Sequence, residues 1–167
     1  MIRGVIAYII NKLKENGMYG RTYVQKITYF IFPELRKELY IPYLYGPYSP
    51  NIQRVIQYLE VNPKLVSIWE KEIESSNEYK SKIDKLIEFI KNENISVKEI
   101  SLLAKINYIL YTIKKDKGDE ALSKEDIELM KLKSKILGWT ELSSLNDNKI
   151  QSLIEKMKKI EEIIKNT

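Results

Sequence analysis

The sequence predicts a mainly α fold with a small two-stranded antiparallel β element (α+β), and three observations predict it. Apolar residues recur at helical spacing along most of the 167 residues. The period drops to two around residues 39–45. Capping residues, glycines and prolines punctuate the ends of the periodic stretches. A chain of this length buries a core without disulfides or metals, and residues 1–167 read as a single domain. Residues 1–73 are expected to form a winged-helix-like part, and residues 77–167 a helical bundle packed on it. The softest joint lies at 74–78 (ESSNE).

Taken in order, residues 3–16 read as a helix with Ile2, Ile6, Ile9, Ile10 and Leu13 on one side and Asn16-Gly17 as its stop. Thr22 is expected to cap a second helix, with Gln25 completing a capping box, Val24, Ile27 and Ile31 inward, and Pro33 ending it. From Leu39 to Tyr45 both alternating sides are apolar or aromatic, which predicts a short strand covered on both faces. Pro42 puts that strand toward a sheet edge. Gly46-Pro47 is expected to turn the chain. Ser49 then caps a third helix with Pro50 at its first position, burying Ile52, Val55, Ile56 and Leu59 until Asn62-Pro63. Leu65 to Ile73 reads as a second strand paired with the first.

The remainder reads as helix. Residues 77–91 turn Tyr79, Ile83, Leu86, Ile87 and Ile90 inward. Ser96 with Glu99 opens a helix to about Lys114 that is apolar on most sides, and so belongs at the centre of the core. Ser123 caps the next, with Ile127, Met130 and Ile136 inward and Gly138 as its stop. Asp147 is expected to cap the last, whose stripe is Ile150, Leu153, Ile154, Met157, Ile160 and Ile164.

Composition narrows the function. A hydrophobic content of 44%, a charged content of 31% and a mean hydropathy of −0.34 are globular values. No apolar run approaches the ~20 residues of a bilayer span, so no membrane partner is expected. The apolar stretch at the N-terminus is interrupted by Asn11, Lys12 and Lys14 and followed by no small-residue cleavage site; it reads as part of the fold, and the protein as cytoplasmic. Richness in Lys, Glu, Ile and Tyr without Cys fits a thermophilic source.

The absence of Cys and His excludes disulfides, thiolate or imidazole metal ligands, Ser-His triads and Cys-His pairs. No phosphate loop or dinucleotide fingerprint is present, and no cofactor or metal is expected. An enzyme built on carboxylates alone ranks third among the function classes, because residues 1–59 hold only Glu15, Glu34 and Glu38 as acids.

Charge singles out the same N-terminal part. Residues 1–59 carry eight bases against three acids, a net of +5, while residues 60–167 carry twenty of each. Arg3, Arg21, Arg36 and Arg54 all lie before residue 60, and arginine is the side chain suited to bidentate contact with carboxylate or phosphate. Seven of the twelve tyrosines fall between Tyr19 and Tyr48, enough to form a contact face or a thick core wall. Tyr43 and Tyr45 are expected in the core, and Tyr40 and Tyr48 at the surface. The polar face of the third helix offers Asn51, Gln53, Arg54 and Gln57, types that hydrogen-bond base edges and phosphates; with the helix–helix–strand–helix–strand order this suggests a winged-helix DNA or RNA binder. The bland alternative is a surface helix showing its polar side to water.

Several segments resemble a known family. Gly20-Arg21-Thr22 with Gln25-Lys26-Ile27-Thr28-Tyr29 is similar to the "GRT-x-LQK-L-x-Y" helix of Panacea-type antitoxin-like proteins and their uncharacterised bacterial and archaeal relatives. Tyr45-Gly46-Pro47-Tyr48-Ser49 resembles their "YGPYS" corner, and Leu102-Leu103-Ala104-Lys105-Ile106-Asn107-Tyr108 their later "LLA-x-I-x-Y" helix. Val24 stands where the relatives carry Leu, and Asn107 where they carry His. The resemblance implies a helical domain with a small antiparallel element and no catalysis. It also implies a regulator acting by protein–protein contact, since some relatives neutralise toxins directly or hand a toxin to a protease. The expected binding residues are Arg21, Tyr40, Tyr48, Asn51, Gln53, Arg54 and Gln57, for a protein partner such as a toxin or, alternatively, nucleic acid; a homo-oligomer stays open.

Overall fold

A computed structural model describes residues 1–113 and 122–167. Helix α1 (Ile2–Glu15) buries Val5, Ile6, Ala7, Ile9, Ile10 and Leu13. Gly4 lets it lie against the chain at Trp69–Ile73, since a Cβ there would stand 2.9 Å from the Trp69 carbonyl oxygen. Helix α2 (Arg21–Ile31) is buried at every position from Val24 to Ile31. A 3-10 turn (Pro33–Leu35) and the short α3 (Arg36–Leu39) lead to strands β1 (Ile41–Tyr43) and β2 (Gly46–Tyr48). Then come α4 (Pro50–Val61), α5 (Lys64–Trp69) running into a 3-10 turn (Glu70–Ile73), and α6 (Asn77–Asn92). Helices α7 (Val97–Ile113), α8 (Lys124–Ile136), α9 (Thr140–Ser143) and α10 (Asp147–Lys165) complete the described chain. Among the described residues the molecule is mainly helical with one two-stranded antiparallel sheet. No helix among the described residues is long and apolar enough to cross a membrane.

Helix α7 occupies the centre, as its apolar sequence demands: Ile100, Leu103, Ala104 and Ile106 are fully buried, and the helix packs on α2, β2, α8 and α10. The expected end of this helix at Lys114 lies outside the described residues. The six-residue stripe of α10 is buried throughout, and that helix packs on α7, α6 and α2. Contacts cross the joint near residue 75 freely, with α1 on α6 and α2 on α7.

The hairpin follows from its prolines. Register pairs Ile41 with Tyr48, Pro42 with Pro47 and Tyr43 with Gly46. Antiparallel ladders alternate hydrogen-bonded and non-bonded pairs, so two prolines can face each other only at the non-bonded position. Gly46 takes φ +104°, so the turn residues Leu44 and Tyr45 need no positive φ themselves.

Several expectations are corrected. The turn lies at Leu44-Tyr45, and Gly46-Pro47 belongs to β2. The segment Leu65–Ile73 is helical, so β1 pairs with its immediate neighbour and both strands precede α4. Strand β1 is exposed at all three residues, because β2 takes the inner place against α2 and α7. Tyr43 and Tyr45 are accordingly exposed, and Tyr40, at the end of α3, is buried. Gly20 caps α2, leaving Thr22 and Gln25 out of a capping box, and Asn146 replaces Asp147 as the cap of α10. Ser96 accepts from the Glu99 N–H, but the Glu99 carboxylate turns away to Lys156. Ile136, expected inward, is 75% exposed. The caps at Ser49 and Ser123 form as expected, the latter with Asp126 completing a capping box.

A Cβ on Gly46 would lie 3.1 Å from Lys105 Cγ and would have to keep a left-handed φ. Gly46→Ala is therefore expected to lower the unfolding free energy by about 1–3 kcal/mol in a denaturant titration.

Candidate functional site

Four side-chain bonds hold the hairpin to the helices. Gln25 is 2% exposed, and its amide reads the backbone of residue 49 on both sides: Nε2 donates to Ser49 O at 2.9 Å, and Ser49 N donates to Oε1 at 3.0 Å. Lys26 Nζ donates to Pro47 O at 2.8 Å, a carbonyl turned away from β1 because Pro47 sits at a non-bonded pair of the ladder. On the far side, Trp139 Nε1 donates to Tyr43 O at 2.6 Å. Ser49 Oγ then accepts from Ile52 N, so the same residue closes the hairpin and starts α4.

These bonds shape a pocket of about 270 Å³. Arg21, Thr22, Gln25 and Lys26 of α2 form one wall, Tyr43, Tyr45 and Tyr48 of the hairpin another, and Gln53 of α4 the third. The Tyr43 and Tyr48 rings, diagonal neighbours across the sheet, lie 5.3 Å apart. Leu44 and Tyr45 project beyond them at 70% and 67% exposure.

Lys26 is the unusual group in this wall. Burial removes its ammonium from water, and the charge of Lys105 on α7 repels it, so its pKa is lowered to about 7. Lys105 is itself lowered by burial, against the opposing pull of Glu141, and its Nζ lies 5.8 Å from the Trp139 ring centre. Glu141 is in turn bridged by Lys98 at 2.9 Å. Gly46 gives room to the Lys105 stem, since an ideal Cβ there would stand 3.1 Å from Lys105 Cγ.

The structure brings some of the expected binding residues together and separates others. Arg21, Tyr48 and Gln53 meet in the pocket. Arg21 is already clasped bidentately by Glu60, at 2.6 and 3.2 Å, and Gln53 accepts from Gln25. Asn51, Arg54 and Gln57 share the exposed side of α4 outside the pocket, with Arg54 Nη1 3.4 Å from Asn51 Oδ1. Tyr40 belongs to neither group. It is 5% exposed, its ring meets Tyr29 edge-on at 5.1 Å, and it has no place in a contact surface. Tyr29 in turn donates to Asn107 Oδ1 at 2.7 Å, which also accepts from Arg36 at 2.9 Å, while Asn107 Nδ2 donates to Glu161. Asn107 thus serves as a polar pin between α2, α3, α7 and α10. Among the described residues no group of three or more acidic side chains is placed to hold a metal ion.

Comparison of the chain with protein-family models, curated proteins and solved structures finds no match.

Thr22, Gln25, Lys26, Tyr43 and Tyr45 line the pocket without having been expected among its binding residues. Lys26 follows Gln25 in a helix whose apolar stripe accounts for the core, and a lysine beside that stripe ordinarily solvates the surface. Only the packing of β2 across the other side of α2 buries it.

Two outcomes are expected. Gln25→Ala leaves Ser49 N–H and C=O without their partner, and should cost about 2–4 kcal/mol of unfolding free energy. Lys26 has a folded pKa below its ordinary value, so the unfolded chain binds more protons between the two values and stability rises with pH across that window. The wild-type unfolding free energy should climb between about pH 7 and about pH 10, by an amount on the order of 1–4 kcal/mol, and Lys26→Met should flatten that rise.

Proposed function

We propose that this chain is a non-enzymatic, antitoxin-like binding protein that engages a protein partner through its hairpin. The observation that carries this reading is the exposure of Ile41, Tyr43, Leu44 and Tyr45 (48%, 53%, 70% and 67%) on a short loop whose base is clamped to the interior. An apolar cluster held this way meets a partner without first losing conformational freedom. Tyrosine and apolar anchors beside an arginine are also the usual makeup of interface centres. The resemblance of the Gly20–Tyr29 and Tyr45–Ser49 segments to Panacea-type proteins supports the same class.

A second reading is a winged-helix-like nucleic-acid binder. The exposure of Asn51, Arg54 and Gln57 on one side of α4 favours it. The ion pair of Arg21 with Glu60 at the far end of that helix argues against it, because it offsets the positive charge that phosphates would need.

Tagged protein purified from its own host should retain a stoichiometric protein partner, and the double variant Leu44→Ser, Tyr45→Ser should weaken the complex at least about tenfold while melting like wild type. Equal retention by both proteins would sink the hairpin reading. The nucleic-acid reading predicts salt-dependent binding of labelled duplex or single strands that weakens in Arg54→Ala; no shift at low salt removes it.

A further inference from the structure

The pocket behind the hairpin is small for a metabolite. Its volume of about 270 Å³ falls below the roughly 300–1,000 Å³ of sites that enclose drug-sized ligands. It has room for one side chain, the size of an anchor at an interface centre. Among the described residues its lining holds two cations and no carboxylate. Of the two, Arg21 is offset by Glu60. Lys26 meets no offsetting carboxylate among the described residues: Lys105 of α7 repels it, the Pro47 carbonyl accepts from it, and Tyr43, Tyr45, Tyr48 and the amide of Gln53 line the same pocket. Glu141 lies toward Lys105 and is shared with Lys98.

We propose that this pocket is the anchor site for an acidic side chain of the protein partner, a glutamate whose methylenes lie against the tyrosine rings and whose carboxylate is drawn by Lys26. The inference rests on the protein-binding reading of the hairpin and names the chemistry that reading lacks. Charge complementarity selects the anchor: a cation in an aromatic, partly dehydrated recess is stabilised by an arriving anion and destabilised by a second cation. The displaced proton balance gives a signature. Lys26 sits at a pKa of about 7, and a bound carboxylate favours its charged form, so binding takes up a proton near neutral pH.

The test is a titration of the isotope-labelled full chain, followed by NMR, with the peptide acetyl-Gly-Glu-Gly-amide and its Gln counterpart. The Glu peptide should move the backbone amides of residues 21–26 and 43–48. Its affinity should rise by up to about tenfold from about pH 8 to about pH 6, and that dependence should vanish in Lys26→Met. The Gln peptide should bind more weakly and without pH dependence. Equal affinity for both peptides, shifts confined to other regions, or no shift for either would overturn the proposal. Tighter binding of free acetate than of the Glu peptide would also overturn it, by making the pocket a small-acid site. Should Lys26→Met fail to fold, the Glu–Gln comparison on the wild-type chain decides alone. Leu44 lies outside the pocket and separates this inference from the reading beneath it. A partner released by Leu44→Ser but held at full strength by Lys26→Met ends the pocket proposal and leaves the hairpin reading standing. A Glu peptide that binds as expected, with a partner indifferent to Leu44→Ser and Tyr45→Ser, ends the hairpin reading instead.

Discussion

Two adjacent polar side chains on α2 determine how the hairpin sits, and much of the molecule's surface follows from them. Gln25 and Lys26 are each 2% exposed, yet both spend their hydrogen bonds on the backbone of residues 47–49. Burying an amide or an ammonium is unfavourable unless its bonds are made, so these side chains tolerate only a narrow range of hairpin positions. The prolines make the constraint reciprocal. Pro42 and Pro47 occupy the one pair in the short ladder that needs no N–H groups, which turns the Pro47 carbonyl outward to meet Lys26. A three-residue hairpin alone would be marginal in water; helix side chains supply the bonds its own ladder lacks.

That clamp links the core to the surface. Because β2 lies against α2 and α7, β1 becomes the outer strand and its apolar residues face solvent. The turn that follows carries Leu44 and Tyr45 outward on a base fixed by Trp139, Lys26 and Gln25. The same packing dehydrates Lys26 and places it near Lys105, which holds its pKa near 7. Stability, exposure and electrostatics of the site therefore share one cause. Asn107 plays the comparable part deeper in the molecule, tying Tyr29 and Arg36 to α10 through Glu161.

How much of this was legible depended on whether the deciding force acts locally. Ser49 reads as a cap from its place before Pro50 and a helical stripe, and it caps α4 through Ile52 N. The stripe of α10 is a period of apolar residues, and all six are buried. Tyr40 and Tyr43 were reversed because a strand with apolar residues on both sides carries no record of which side has a neighbour. Leu65–Ile73 mixes β-branched, aromatic and charged residues, and a short apolar run of this kind fits either strand or helix until packing chooses. It became helix because it lies against α1, where Gly4 admits its backbone. Ile136 fits the helical period of α8, but no described element covers that end of the stripe, and it stays in water.

The sequence by itself determined the helical character of the chain, the caps at Ser49, Ser96 and Ser123, most of its buried stripes, and an antiparallel element near the Tyr-Pro-rich corner. It also excluded chemistry that requires cysteine or histidine. Periodicity and capping are properties of neighbours along the chain, and the residues spell them out. Only the tertiary structure decided that Lys26 lies in a pocket wall, that Arg21 is bound to Glu60, and that the corner shows Leu44 and Tyr45 to solvent while hiding Tyr40. Burial, charge offset and exposure are set by residues distant in sequence. The physical reason is that a side chain's solvent is chosen by whatever folds over it, and for α2 that cover arrives some twenty residues later with β2.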